Sequence, residues 1–367
     1  MPPETPPPPA RTGLRAFRTL GRSGLRVSPL CLGAATFGEA WGAGWTVEKP
    51  VARLLLDRYV EAGGNFIDTA NGYHKGESEA WLGEMLAARG DRDRLVLATK
   101  FTFGSRDGDP NAGGNGRKNI LQAVEDSLRR LRTDYLDLYW LHAWDLLTPI
   151  EEVMSTLDRL VQQGKVRYIG MSNVPGWYLG RAQTLAEWHG WERLCAIQAE
   201  YSLITRETEW EYVQAATALG MGICPWSPLA NGLLTGKYKA GAGGKLVGDG
   251  RLGQGGFATG VNSDLRERNT RVIDAVVRVA KELGRTPAQV AIRWVTDRPG
   301  VTSTIIGATK PTQLDDNIAA LDAPLPLDAI AALDDASAMT LMYPQSFFQK
   351  DIQGAIRNGT SIEATRY

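Results

Sequence analysis

Eight short apolar runs, separated by segments of helical periodicity, constrain this 367-residue chain more than any other feature. The runs are Leu30–Gly33, Asn65–Asp68, Leu95–Lys100, Tyr135–His142, Val166–Ser172, Ala196–Gln198, Gly222–Ser227 and Thr304–Gly307. They are near-continuously apolar, the pattern of parallel strands covered on both faces. Between them, Ile120, Leu121, Val124, Leu128 and Leu131 recur at helical spacing. So do Val153, Met154, Leu157, Leu160 and Val161, and Val272, Ile273, Val276, Val277, Ala280 and Leu283. Thr148 before Pro149 reads as an N-cap with a first-turn proline, Glu151 completing a capping box, and Gly164 reads as a left-handed exit. Thr286-Pro287 opens a further helix through Val290, Ile292, Trp294 and Val295. Strand and helix alternating eight times predict an α/β fold, a closed (β/α)8 barrel; an open doubly wound sheet satisfies the same alternation.

Phe17–Thr19 and Leu25–Val27, flanking Gly21-Arg22-Ser23-Gly24, read as a hairpin ahead of the barrel. Six of the first ten residues are Pro, so residues 1–12 read as a disordered, extended tail. With no linker between two cores, residues 13–367 read as one barrel domain, with 337–367 as its C-terminal tail. The stretches Phe103–Arg117 and Ala240–Asn262 also exceed a minimal barrel, and long loops in compact domains are commonly functional.

Composition narrows the function. Lys plus Arg and Asp plus Glu are both 41, so no basic excess points to nucleic acid or an anionic membrane. No apolar run approaches the roughly 20 residues of a spanning helix, and the N-terminus lacks the apolar core of a signal peptide. Cys31, Cys195 and Cys224 sit far apart in apolar stretches, as buried reduced thiols do. The expectation is a cytoplasmic protein. A metal-dependent barrel hydrolase would need clustered ligands, which His74, His142 and His189 do not provide, so no metal is expected.

In a parallel barrel the C-terminal strand ends face the active-site mouth. The second run ends in Asp68, the third in Lys100 and the fourth in His142, while Tyr73 lies five residues past Asp68. Each alone has an ordinary structural reading, such as an Asp68–Lys100 salt bridge. Together they have a chemical purpose. A phenol is a poor acid at neutral pH, a neighbouring ammonium stabilises its phenolate, and a carboxylate holds that ammonium. Such a phenol can exchange a proton with a carbonyl or alcohol oxygen while hydride moves at carbon.

These residues lie within motifs that resemble the aldo-keto reductases from about Phe17 to Leu333. The motifs are Gly33-Ala34-Ala35-Thr36-Phe37-Gly38, Asp68-Thr69-Ala70-Asn71-Gly72-Tyr73, Ala98-Thr99-Lys100 and Leu141-His142-Ala143-Trp144-Asp145. They continue in Gly164 through Asn173 and in Trp226-Ser227-Pro228-Leu229. The resemblance is to bacterial members with a Leu-His-x-Trp-Asp signature. It implies a catalytic tetrad of Asp68, Tyr73, Lys100 and His142, with His142 pointing to carbonyl or alcohol chemistry.

The resemblance also implies a nicotinamide cofactor bound without a Rossmann domain. Ser172, Asn173 and Gln198 would bond the carboxamide, and Trp226 would stack on the ring. Ser227, Leu229, Asn231, Leu233, Gly236 and Lys237 would wrap the pyrophosphate. Gly307, Thr309, Lys310, Gln313, Asp316 and Asn317 would hold the adenosine end. The match at Gly248, Gly250 and Gly253 to a dinucleotide fingerprint lacks the strand and helix that give that motif its function. Many NADPH-selective relatives carry Arg where this chain has Thr309; with Lys310 adjacent, NADP(H) is preferred and NAD(H) is the alternative. Phe37, Trp41, Trp45, Trp144 and Tyr201 are candidates for the substrate mouth or for core and rim packing. The substrate would be an aldehyde, a ketone or a ring alcohol, sugar-like or a polycyclic natural product such as a trichothecene toxin. A cofactor-binding, redox-sensing regulatory subunit of a channel is the alternative function. Oligomeric state is undetermined by these features.

Overall fold

The computed structural model describes residues 13–42, 44–104, 106–240, 246–247, 252 and 267–360. The Pro-rich segment 1–12 and the glycines at 248, 250 and 253 lie outside the described residues. A short antiparallel hairpin of β1 (Arg18–Thr19) and β2 (Arg26–Val27) precedes the barrel. Seven barrel strands follow: β3 (Leu30–Gly33), β4 (Phe66–Asp68), β5 (Val96–Phe101), β6 (Leu136–Leu141), β7 (Val166–Ser172), β8 (Leu194–Glu200) and β9 (Gly222–Trp226). A two-residue pair, β10 (Lys239–Ala240) and β11 (Leu246–Val247), lies within the Gly-rich stretch, and β12 (Thr304–Ile306) completes the barrel.

The eight strands run in the order β12-β3-β4-β5-β6-β7-β8-β9, and every pairing is parallel. The ends of this sheet meet: Ile223 N–H donates to the Gly300 carbonyl at 2.9 Å, and Thr302 N–H to the Ile223 carbonyl at 2.8 Å. A single parallel bridge, Ile223 to Val301, thus closes the ring between β9 and β12. A barrel, not an open sheet, is the outcome of the eightfold alternation.

Two-residue periodicity divides the strands between two cores. Ile67, Leu97, Tyr139, Ile169, Ile197, Ile223 and Ile306 face outward into the layer shared with the helices. Cys31, Phe66, Ala98, Leu138, Trp140, Ala196, Cys224 and Ile305 fill the barrel, with Leu20 and Val27 of the hairpin packed against them. Trp140 is the largest of these, and Gly170 on the neighbouring strand makes its space. A Cβ at Gly170 would sit 2.4 Å from the indole and 2.8 Å from the Ala196 carbonyl.

The crossover helices are α1 (Lys49–Glu61), α2 (Glu77–Arg89), α3 (Arg117–Leu131), α4 (Ile150–Gln162), α5 (Gly176–His189), α6 (Tyr212–Leu219), α7 (Glu267–Leu283) and α8 (Pro287–Thr296). After β12 come α9 (Pro311–Ala319), α10 (Leu327–Ala336) and α11 (Lys350–Ile356). The Thr286 cap of α8 forms as a full capping box with Gln289. The expected Thr148 cap of α4 does not form. The helix begins after Pro149 with no side-chain cap, and the Thr148 hydroxyl donates instead to Asp145 at 2.6 Å. The tail after Ser337 is not wholly loop, since it carries a 3-10 turn at Gln345–Phe348 and then α11. All three cysteines are buried and free. Among the described residues no helix is long and apolar enough to cross a membrane, and no group of His, Cys, Asp and Glu could hold a metal ion.

Candidate active site

Adjacent parallel strands bring their last residues to one end of the barrel, which places Asp68, Lys100 and His142 side by side. Asp68 closes β4, Lys100 lies one residue before the end of β5, and His142 follows β6 directly. The register pairs Asp68 with Ala98 and Lys100 with Trp140. Asp68 and Lys100 therefore both point inward, above the Trp140 indole.

Lys100 is fully buried, yet its ammonium is saturated. It donates to the Asp68 carboxylate, to the Thr69 carbonyl at 2.8 Å and to the Tyr73 hydroxyl at 3.2 Å. Burial works against its charge, but Asp68 and then Tyr73 outweigh that and raise its pKa above the ordinary lysine value. Burial likewise raises the Asp68 pKa, opposed by Lys100 and by the Gln198 amide, which donates to it at 3.1 Å. An uncompensated charge here would be costly, so the pair holds together as a unit.

Tyr73 begins the turn Tyr73–Gly76 and lies half-buried, its ring 5.8 Å from that of His142 in an edge-on arrangement. The His142 imidazole is held neutral: burial, and then the Lys100 charge, bring its pKa well below the ordinary value. Its Nδ1 is buried with no partner among the described residues. A network beneath the mouth fixes its backbone. Thr102 Oγ1 accepts from the His142 N–H at 3.2 Å and donates to Asn115 at 2.6 Å, and Asn115 donates to the Ala143 carbonyl at 2.9 Å. Asp145 accepts from the Asn115 N–H at 2.8 Å. The loop between β5 and α3 is thus pinned to the loop after β6. Composition gave no sign of this network, because the polar partners are scattered singly through glycine-rich sequence.

Of the residues expected to hold a cofactor, Ser172 and Gln198 face each other in register at the ends of β7 and β8. The Asn173 amide bridges the Ser172 hydroxyl and the His142 carbonyl, both at 2.9 Å. Trp226 ends β9 half-buried, and its indole N–H has no partner among the described residues. The following segment turns sharply, with left-handed backbone at Ser227, Ala230, Asn231, Gly232 and Gly236. Leu229 is half-buried and Leu233 fully buried, so Leu233 can offer only its backbone; Lys237 is exposed. Gly307 and Lys310 are exposed beyond β12, Thr309 bonds to Gln313 at 2.8 Å, and Asn317 donates to the Gly307 carbonyl at 3.2 Å. Asp316 is turned to a structural task, accepting from Thr286 at 2.9 Å and Gln289 at 2.7 Å at the start of α8.

The aromatic candidates separate. Trp41 is exposed and lies 6.1 Å from Tyr73 and 5.8 Å from Trp45, ring to ring. Trp144 packs on Trp177 at 5.3 Å and on Tyr178 at 5.8 Å, at the loop after β6. Phe37, Trp45 and Tyr201 are buried. Tyr201 packs edge-on against Trp294 and donates to Glu209 at 2.8 Å. Phe103 opens the long stretch Phe103–Arg117 singled out in the sequence, and it is exposed with its ring 4.7 Å from His142.

A profile described as the aldo/keto reductase family matches residues 29–338. The chain is 36% identical to a norsolorinic acid reductase of Emericella nidulans over 97% of its own length and 90% of the relative's. It is 34% identical to an aryl-alcohol dehydrogenase of Pestalotiopsis microspora, over 93% of this chain and 87% of that one. An aldo-keto reductase of Emericella nidulans is 36% identical over 90% of this chain and 83% of its own. These relatives are fungal and lend no support to a bacterial affiliation.

Proposed function

The chain belongs to the aldo/keto reductase family, and from that premise we propose that it is an NADP(H)-dependent reductase of aryl carbonyl compounds, working through Tyr73 on one barrel unit spanning residues 13–367. The observation that carries this reading is the Lys100 ammonium, buried, paired with Asp68 and 3.2 Å from the Tyr73 hydroxyl. In reduction Tyr73 gives its phenolic proton to the carbonyl oxygen, and in oxidation it takes the proton from the alcohol. Lys100 stabilises the phenolate left behind, and Asp68 keeps Lys100 charged and aimed. His142, neutral, offers a hydrogen bond to the substrate oxygen without competing as an acid.

The residues present suit a nicotinamide dinucleotide. Ser172, Asn173 and Gln198 supply a hydroxyl and two amides at adjacent strand ends, suited to a carboxamide. Trp226 offers an aromatic face beside them, and its indole N–H has no partner among the described residues. The left-handed turns from Ser227 to Gly236 suit a segment that wraps a pyrophosphate, and Lys310 is the cation for a 2′-phosphate. The bound nicotinamide supplies or takes the hydride at the carbonyl carbon.

Support for an aryl substrate comes from two directions. The relatives include an aryl-alcohol dehydrogenase. Here Trp41, Tyr73, His142 and Phe103 form a chain of ring contacts at the mouth, with the buried Trp45 against Trp41. Parallel fluorescence titrations with NADPH and NADH, followed by benzaldehyde-dependent oxidation of each, test the reading. Tight NADPH, weaker NADH and turnover of benzaldehyde are expected; binding of neither nucleotide refutes it.

A further inference from the structure

His74 is buried beside the reacting groups, yet the reaction as described gives it nothing to do. It follows Tyr73 directly, and both His74 and Lys75 hold left-handed backbone, with φ of 51° and 56°. Non-glycine residues adopt that region in succession only where their surroundings enforce it. The surroundings here converge on the imidazole. Its Nε2 lies 3.1 Å from the Ala35 carbonyl, its ring stacks on Trp41 at 4.0 Å, and it lies against Gly38. A Cβ at Gly38 would come within 2.4 Å of the imidazole Cγ, so the glycine is what admits the ring.

We propose that His74 is a positioning residue, which locks the turn carrying Tyr73 to the loop after β3 and holds Trp41 as one wall of the substrate mouth. The proposal rests on the reading that Tyr73 is the acid–base group. Since a carbonyl can only accept, Nε2 carries the proton of the neutral ring, and Nδ1 has no partner among the described residues. A single neutral tautomer therefore satisfies the contact. One side chain thus sets two things. Its hydrogen bond fixes where the Tyr73 hydroxyl meets Lys100, and its flat face fixes the Trp41 ring 6.1 Å from Tyr73. The fold does not depend on it, because Glu77 separately ties the same loop, accepting from the Glu39 and Ala40 N–H groups at 2.6 and 3.0 Å.

Two variants separate the two tasks, with benzaldehyde and NADPH as probes. His74→Ala removes both, and kcat is expected to fall on the order of tenfold or more, as for a misplaced reacting group. The KM for benzaldehyde should rise several-fold while NADPH affinity, read by tryptophan fluorescence, stays unchanged. His74→Phe returns a flat ring for Trp41 but no donor for Ala35, so it should restore KM and leave kcat low. Added to Tyr73→Phe, the His74→Ala change should lower kcat no further, since it acts through a group already lost. Wild-type kcat and KM in His74→Ala overturn the proposal, as does a kcat loss of equal size in the Tyr73→Phe background. If Tyr73→Phe alone turns over at the wild-type rate, the acid–base reading itself has failed and takes this proposal with it.

Discussion

Replacing Lys100 by Met keeps the volume of the side chain and deletes its charge, and among the described residues Asp68 has no other cation in ion-pair reach. Lys100 is fully buried and Asp68 nearly so, and once the ammonium is gone the carboxylate keeps neutral donors such as the Gln198 N–H at 3.1 Å but no paired charge. Breaking one side of a buried ion pair costs about 3–5 kcal/mol. Urea unfolding at neutral pH should show a loss of that size. The second variant, Lys100→Met with Asp68→Asn, removes the orphaned charge and should recover most of it. The pH dependence has a definite sign. Asp68 already titrates above its ordinary value because it is buried, and without Lys100 it must titrate higher still. A carboxyl group whose folded pKa is raised contributes stability that is present below the unfolded value of about 3.9 and lost as pH rises through the folded pKa. The single variant should therefore gain stability relative to wild type as pH falls from neutral, and the double variant should not. Equal stability of Lys100→Met and wild type at neutral pH, or a double variant no better than the single, would refute the reasoning.

Three further outcomes are expected. His142 titrates well below its ordinary value in the fold, so its contribution is full above about pH 6.5 and is lost as pH falls towards the folded pKa. His142→Leu should therefore flatten the acid limb of stability, by up to about 1.4 kcal/mol per pH unit, in urea unfolding measured across pH. Burial raises the pKa of Cys31, Cys195 and Cys224, so a thiol reagent should label none of them in the native protein and all of them in denaturant. Gly170→Ala should destabilise by about 1–3 kcal/mol or more, because the added methyl overlaps both the Trp140 ring and the Ala196 carbonyl; an unchanged unfolding midpoint would contradict the packing described.

Much of this architecture can be read from the chain because barrel strands are covered on both faces and so appear as unbroken apolar runs. Leu30–Gly33 and Val166–Ser172 are strands from end to end, and the other six runs differ at their ends by a residue or two. The site follows from the same regularity: parallel strands deliver their last residues to one rim, so Asp68, Lys100 and His142 can be placed there before any distance is known. What the chain conceals is chosen by partners remote in sequence. Thr148 looks like a helix cap, but Asp145 bonds its hydroxyl first. The contacts of Tyr201 with Glu209 and Trp294, and those of Asp316 with Thr286 and Gln289, are likewise invisible in the chain. A residue's type announces what it can bond, and the fold decides which partner arrives.

Single-turnover reduction of benzaldehyde by wild type and Tyr73→Phe, each with NADPH saturation confirmed by fluorescence, tests the assignment of the acid–base group most directly. Loss of turnover on the order of a hundredfold or more, with nucleotide affinity unchanged, is the expected result for a removed proton donor. Turnover in the variant at the wild-type rate, with NADPH bound, would contradict it and return Asp68, Lys100 and Tyr73 to the status of a buried structural cluster.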